Sequence, residues 1–464
     1  MSKLSSAFAV HGHFYQPARD DPLTGEIPWE DGSLPFANWN ERIYSECYLP
    51  NAMLGNFGRI SFNLGPTLTD WLARYHPETL TAIVSQEQDN YEKHGVGNGM
   101  AQAYHHTILP LDLPQDKVTQ VRWGIADFEF RFGHLPAGLW LPETAVDEAT
   151  LICLAENGIK FTILAPWQAA DAVDIRQPAL VELPGGHSIT VFFYDQPVST
   201  ALSFNPLATI NADAFVREQI LAKPFDGLLF VASDGELYGH HQQFRDKFLD
   251  YLTRRAIPQA GIQMTYPGLW LQEHPPTQMV RILDNTSWSC HHGVERWRGA
   301  CGCTPQGEWK GYLREAFSWL AKELDIVFVE NLGKFVSDPW ELRHQYIRVL
   351  HGQITLQGLL TELGRAPVSD SDLSQIAGLL QAQKERLRMF TSCGWFHDDF
   401  DRINPRNNVI YAAQAVYAFH KATGIDLAPE MIPQLARVVS WRSGLQADIV
   451  FTQHLERARN QINP

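Results

Sequence analysis

The sequence predicts an α/β barrel with an imperfect count of repeats, followed by an α-helical domain. Two observations carry this reading. Short β-type runs alternate with helical patterns over roughly the first 270 residues, and beyond about residue 275 long helical patterns replace that alternation. The candidate strands are 6–11, 59–64, 138–141, 160–164, 190–194, 227–233 and 261–265. Several lack polar alternation, and Leu228-Leu-Phe-Val-Ala232 is apolar throughout, as a parallel strand covered on both faces is. Helical patterns lie between them at 67–75, 77–93, 115–132, 146–157, 212–222 and 244–255. An open doubly wound sheet would show the same alternation, and the barrel is the preferred form. A Cys/His/Trp-rich irregular stretch at 288–309 precedes helical patterns at 308–324, 339–350, 371–389, 407–421 and 428–462. The expected organisation is a catalytic barrel over 1–275, a Cys/His/Trp-rich connecting region with a first helix over 276–330, and a helical domain over 331–464.

Composition narrows the function. The chain of 464 residues carries a net charge of −15 and has no basic run, which argues against a phosphate-tracking nucleic-acid surface or an anionic-membrane binder. No apolar run reaches the roughly 18–20 residues that span a bilayer, and the first residues lack a signal-peptide pattern, so the expected compartment is the cytoplasm. The six cysteines, at 47, 153, 290, 301, 303 and 393, do not form a disulfide framework in so long a chain. Fourteen Trp, fourteen Tyr and twenty-five Phe, many beside His, Asp or Glu in Gly/Pro-rich stretches, are the residues that line binding clefts.

Four polar constellations fall near strand ends. His11 and His13 in His11-Gly-His-Phe-Tyr-Gln-Pro17 point to one side of an extended segment, as a metal pair or as hydrogen-bonding groups for a polyhydroxylated ligand. Gly138-Leu-Trp-Leu-Pro-Glu-Thr144 ends an apolar strand in Trp140 and delivers Glu143, which is either a catalytic carboxylate or a charge preceding the next helix. Asp234 and Glu236 emerge at the end of the apolar 227–233 run, as catalytic groups or as a simple Asp-Gly turn, followed by His240 and His241. The segment 97–110 reads as a Gly-rich loop offering Gln102, His105 and His106, without the lysine of a phosphate cradle. Paired carboxylates at two strand ends are what glycosidic-bond cleavage requires, one ionised and one protonated.

In motif order, His11-x-His13 with Gln16-Pro17, Trp140-Leu-Pro-Glu143 and Ser233-Asp-Gly-Glu236-Leu-Tyr-Gly239 resemble glycoside hydrolase family 57 over roughly residues 7–275. The resemblance implies an incomplete (β/α)7 barrel with a helical domain, and a retaining enzyme acting on α-glucans as an amylase, 4-α-glucanotransferase or branching enzyme does. It implies Glu143 as nucleophile and Asp234 as general acid/base, with His11 and His13 lining the cleaved-sugar subsite and no catalytic metal or cofactor. Phe14-Tyr15 stand before Gln-Pro, the 97–106 segment differs from the usual amylase form, and Thr144 stands where many members have Cys. Together with 287–297 and 389–396, these features resemble a branch whose C-terminal part is catalogued as a domain of unknown function.

Further expected substrate contacts are Gln16, His105, Trp140, Glu236, His240, Trp270, Trp288, His291 and Trp395, with an oligo- or polysaccharide as partner. Cys290, Cys301 and Cys303 with two adjacent histidines are the strongest metal candidate. A turned loop presenting Trp288, His291, Glu295 and Trp297 over the cleft is the preferred reading of that stretch, because paired Cys-x2-Cys spacing is missing. Two other functions fit the sequence: a metal-dependent carbohydrate deacetylase with His11, His13, Asp234 and His240 or His241 as ligands, and a non-catalytic glycan-binding protein.

Overall fold

The computed structural model describes residues 6–364 and 368–460. The chain divides into two compact units, one made of 1–16, 28–103 and 127–288, the other of 17–27, 104–126 and 289–464.

The first unit is built on parallel strands. β1 (Ala7–Phe14), β2 (Ser61–Leu64), β3 (Gly99–Gln102) and β4 (Leu139–Trp140) lie side by side in that order. β5 (Phe161–Leu164), β6 (Ala179–Glu182) and β7 (Ser188–Phe193) belong to a second sheet, while β8 (Leu228–Asp234) pairs with the far side of β1. β9 (Gln263–Met264) pairs with the start of β1, and β10 (Gln278–Met279) with β6. A parallel bridge between Gly138 and Phe161 joins β4 to β5, and the Asp195 amide donates to the Phe230 carbonyl at 2.6 Å, linking the end of β7 to β8. The first sheet is parallel, the second is mixed because β6 and β7 pair antiparallel, and the helices between strands agree with the predicted α/β class.

All seven predicted strands are present. Three were not predicted: β6, β10 and β3, the last within the segment read as a Gly-rich loop. Asn98, beside those glycines, donates through Nδ2 to the carbonyls of Phe57 and Ile60, so the loop-like composition is held against β2 by a side chain.

Strand alternation explains how the site is raised above the core. Ala7 and Ala9 of β1, Met100 of β3, Phe161 and Ile163 of β5, and Leu228, Phe230 and Ala232 of β8 share one buried apolar cluster with Trp140 and Trp270. The next residues on that face are His11 and His13 on β1, two and four beyond Ala9, and Gln102 on β3 and Asp234 on β8, each two beyond the last apolar one. Each strand therefore contributes apolar side chains first and a polar one at its C-terminal end, where parallel α/β folds place their sites.

The second unit is helical, with long helices Trp309–Leu332, Asp370–Arg388 and Ile403–Thr423. Its interior holds a buried ionic network. Arg386 reaches Asp116 at 2.5 Å and Asp325 at 2.7 Å, Arg343 reaches Asp116 at 2.9 Å, and Gln383 bonds both Arg343 and Asp325. The helical pattern predicted for 428–462 is two helices, Ala428–Leu435 and Ala447–Asn460, and its last two residues lie outside the described ones. Asp399 separates them, accepting from the Ser440 hydroxyl at 2.8 Å and the Trp441 amide at 3.1 Å.

Candidate active site

Register assembles the polar layer. His11 lies opposite Ser61 and His13 opposite Asn63 across β1 and β2, while His13 lies opposite Asp234 across β1 and β8. His11 Nδ1 meets Ser61 Oγ at 2.9 Å and its Nε2 meets Asn63 Oδ1 at 3.1 Å. Asn63 Nδ2 donates to Gln102 Oε1 at 2.8 Å and lies 3.0 Å from His13 Nδ1. Because its Nε2 meets an amide oxygen, His11 is the Nε2–H tautomer, while His13 Nδ1 lies within reach of both Asn63 Nδ2 and, at 3.2 Å, Asn63 Oδ1. Burial pushes the His11 imidazole down to about 3, with the neighbouring His13 adding to the effect, and pushes His13 down to about 4. Both rings are neutral at pH 7. They stack on Trp140, at centroid distances of 4.7 and 5.1 Å.

Glu143 occupies a strained turn just past β4. It and Thr144 both adopt left-handed backbone, with φ of 58° and 48°, a conformation that costs a residue with a β-carbon. The surroundings enforce it. The Trp288 amide donates to the Glu143 carbonyl at 3.0 Å, and Gln168 clasps Thr144 by accepting from its hydroxyl at 2.9 Å and donating to its carbonyl at 2.8 Å. The Glu143 carboxylate itself accepts from Trp288 Nε1 at 3.1 Å. Capping is not its role, because the next helix, Glu148–Glu156, is capped by Asp147, which accepts from the Thr150 amide.

Asp234 ends β8 and caps nothing with its side chain. It keeps accessible surface at the strand end, and its carboxyl still loses hydration to the protein around it. Loss of hydration, and then the negative charge of Glu143, push it up to about 7. The two carboxylates thus sense each other, and one of them holds its proton near neutrality.

Glu236 has a different part. Its Oε1 accepts from Tyr48 Oη at 2.6 Å and from the Tyr15 amide at 3.0 Å, and Gln16 Nε2 donates to the same Tyr48 oxygen at 3.0 Å. Glu236 and Gln16 therefore secure the turn that follows β8 against the end of β1. Gly239 completes that turn at φ 141°, where a β-carbon would collide with the Glu46 carbonyl. His240 Nδ1 meets Glu46 Oε2 at 2.5 Å.

Of the other expected contacts, Trp288 joins the cluster edge-on to Trp140 at 5.0 Å. Trp270 is buried in the apolar cluster and stacks on His274 at 3.7 Å. His105, His291 and Trp395 belong to the second unit. There Gln120 holds His105, accepting from its backbone amide at 2.8 Å, and His291 is exposed. Trp395 is fully buried, donating to the Lys310 carbonyl at 3.2 Å under the Arg314 guanidinium.

Sequence reasoning missed Ser61 and Asn63. The available signal was a pair of polar residues with period two inside an otherwise buried strand. Two buried donors of this layer, Gln102 Nε2 and Trp140 Nε1, have no hydrogen-bond partner among the described residues, as groups awaiting a polar ligand would. Asn63→Ala is expected to destabilise the protein by about 1–3 kcal/mol, because it strips partners from buried His11 and Gln102; urea unfolding measures this.

Two carboxylates, two neutral histidines and a tryptophan gathered at the C-terminal ends of parallel strands give the polar, concave kind of site that α/β folds place there. The chain belongs to glycosyl hydrolase family 57, whose sequence profile matches residues 4–283, while a domain of unknown function, DUF3536, matches residues 306–462. No curated protein matches the sequence. In fold the chain is similar to the exo-type maltose-forming amylase of Pyrococcus sp. ST04, at 16% identity and TM-score 0.73 over 97% of this chain and 88% of that one. It is similar to the branching enzyme of Pyrococcus horikoshii, at 15% and 0.60 over 98% and 94%. It is also similar to the 4-α-glucanotransferase of Thermococcus litoralis, at 15% and 0.57 over 89% of this chain and 60% of that one.

Proposed function

We propose that this protein cleaves or transfers α-linked glucans by a retaining double displacement. Glu143 attacks the anomeric carbon and forms a glycosyl-enzyme, while Asp234 gives its proton to the departing glycosidic oxygen. Asp234, now ionised, then takes a proton from water or an acceptor hydroxyl, which attacks the same carbon and releases Glu143. The observation that carries this reading is the pair of carboxyl side chains at two strand ends, Glu143 on its left-handed turn past β4 and Asp234 at the end of β8, with dehydration and the charge of Glu143 pushing the Asp234 carboxyl up to about 7. A nucleophile must be ionised while its partner acid is not, and this electrostatic arrangement separates the two states. The neutral His13, with the donors of Gln102 and Trp140, supplies hydrogen bonds suited to sugar hydroxyls, while His11, both nitrogens engaged by Ser61 and Asn63, fixes the layer behind them.

A deacetylase with His11 as a metal ligand fits less well, since Ser61 and Asn63 engage both nitrogens of that ring. The test is incubation with starch, glycogen and malto-oligosaccharides, with products resolved by chromatography, beside acetylated oligosaccharides assayed for released acetate. Shortened or disproportionated glucans without acetate release support the proposal. Acetate release, or silence on every α-glucan, contradicts it.

A further inference from the structure

The irregular stretch that opens the second unit's C-terminal part carries chemistry that the glycan site does not use. We propose that Cys290, His292, Cys301 and Cys303 form a structural zinc site. Their donor atoms all lie within 4.8 Å of one another. Cys290 Sγ is 3.6 Å from Cys301 Sγ and 3.8 Å from Cys303 Sγ, and His292 Nδ1 is 3.3 and 3.4 Å from the sulfurs of Cys301 and Cys303. Tetrahedral zinc with Zn–S of about 2.3 Å and Zn–N of about 2.0–2.1 Å requires S···S edges of about 3.8 Å and S···N edges of about 3.5 Å. The spacing matches those edges and is far from the roughly 2.05 Å of a disulfide.

Two tight turns present the ligands in pairs. The Gly293 amide donates to the Cys290 carbonyl at 3.1 Å, closing a turn that carries Cys290 and His292. The Thr304 amide donates to the Cys301 carbonyl at 2.9 Å, closing a second turn that carries Cys301 and Cys303.

Charge supports the same assignment. Three thiolates around Zn²⁺ leave one net negative charge. Lys310 is fully buried, donates to the Thr304 hydroxyl at 3.0 Å, and lies within the electrostatic reach of Cys301 and Cys290. A buried ammonium needs counter-charge, to which Asp398 contributes and the loaded cluster would add. With four protein ligands and no open position, the ion cross-links the 290–304 loop and performs no catalysis. The sequence signal was weak because the ligands come as two pairs with one residue between members, not as Cys-x2-Cys.

The test uses the full chain purified under reducing conditions. Elemental analysis is expected to find one zinc per chain, lost in Cys301→Ser and Cys303→Ser and kept in Cys393→Ser. Replacing zinc by Co²⁺ in the wild type is expected to give tetrahedral ligand-field bands with thiolate-to-cobalt charge transfer, a readout that does not depend on any variant folding. His292→Cys is expected to keep the metal and shift that spectrum toward four thiolates. Absence of stoichiometric metal together with a cobalt spectrum lacking thiolate charge transfer overturns the proposal, as does full zinc retention in both Cys→Ser variants.

Discussion

Glu143→Gln lowers turnover of α-glucans by at least about 10⁴-fold, the scale on which loss of a covalent nucleophile acts. The replacement is nearly isosteric. Its amide oxygen still accepts from Trp288 Nε1, and the left-handed turn is fixed by the Trp288 amide and by Gln168, not by the carboxylate charge. Fold and unfolding temperature are therefore expected to match the wild type, so the loss reports chemistry. Initial rates with circular dichroism on the same preparation check both halves. Activity within tenfold of wild type would remove Glu143 from the mechanism.

Asp234→Asn lowers glucan turnover by about 10²–10⁴-fold, the usual worth of a general acid. The loss depends on the leaving group. An α-glucosyl fluoride needs no proton to depart, so its first step keeps most of its rate, and azide, which needs no base, restores release of the sugar as the α-azide.

The pH response follows from the same carboxyl. Dehydration and Glu143 raise it to about 7, so wild-type kcat/KM falls as pH rises through that value and the acid is lost. In Asp234→Asn that limb disappears. Glu236, also pushed up to about 7 by burial, is held by Tyr48 and the Tyr15 amide, and the limb persists in Glu236→Gln if Asp234 is its source. Stability responds to pH in the same direction. A carboxyl whose folded value lies above its unfolded value of about 3.9 is increasingly destabilising as pH rises from that value through 7. The melting temperature of Asp234→Asn relative to wild type is thus expected to be higher at pH 8 than at pH 5.

Much of this site was legible because its residues follow apolar strands directly. In the Leu228–Ala232 run, and in Ala7 and Ala9 before His11 and His13, a buried period-two pattern ends in polar side chains on the same face. What escaped notice depends on pairing between distant segments. Ser61 and Asn63 matter because β2 registers against β1; their period-two spacing is visible locally, but the partner strand is not. β3 reads as a loop through Gly97 and Gly99, although Asn98 ties it to residues some 40 positions earlier. Trp395 resembles a cleft residue by its neighbours His397 and Asp398, yet Lys310 and Arg314, remote in sequence, make it core. The break at 436–446 likewise comes from Asp399, which no helical periodicity within 428–462 reveals.

The covalent step on Glu143 is most directly tested by trapping. A 5-fluoro-α-glucosyl fluoride slows both steps while its fluoride leaves without a proton, so a retaining enzyme accumulates the glycosyl-enzyme. Peptide mass spectrometry of the inactivated protein is expected to find one fluoroglucosyl group on the Glu143 carboxylate, and none in Glu143→Gln. Turnover of α-glucans by a protein that forms no adduct, or an adduct carried by a different carboxylate, would contradict Glu143 as the nucleophile.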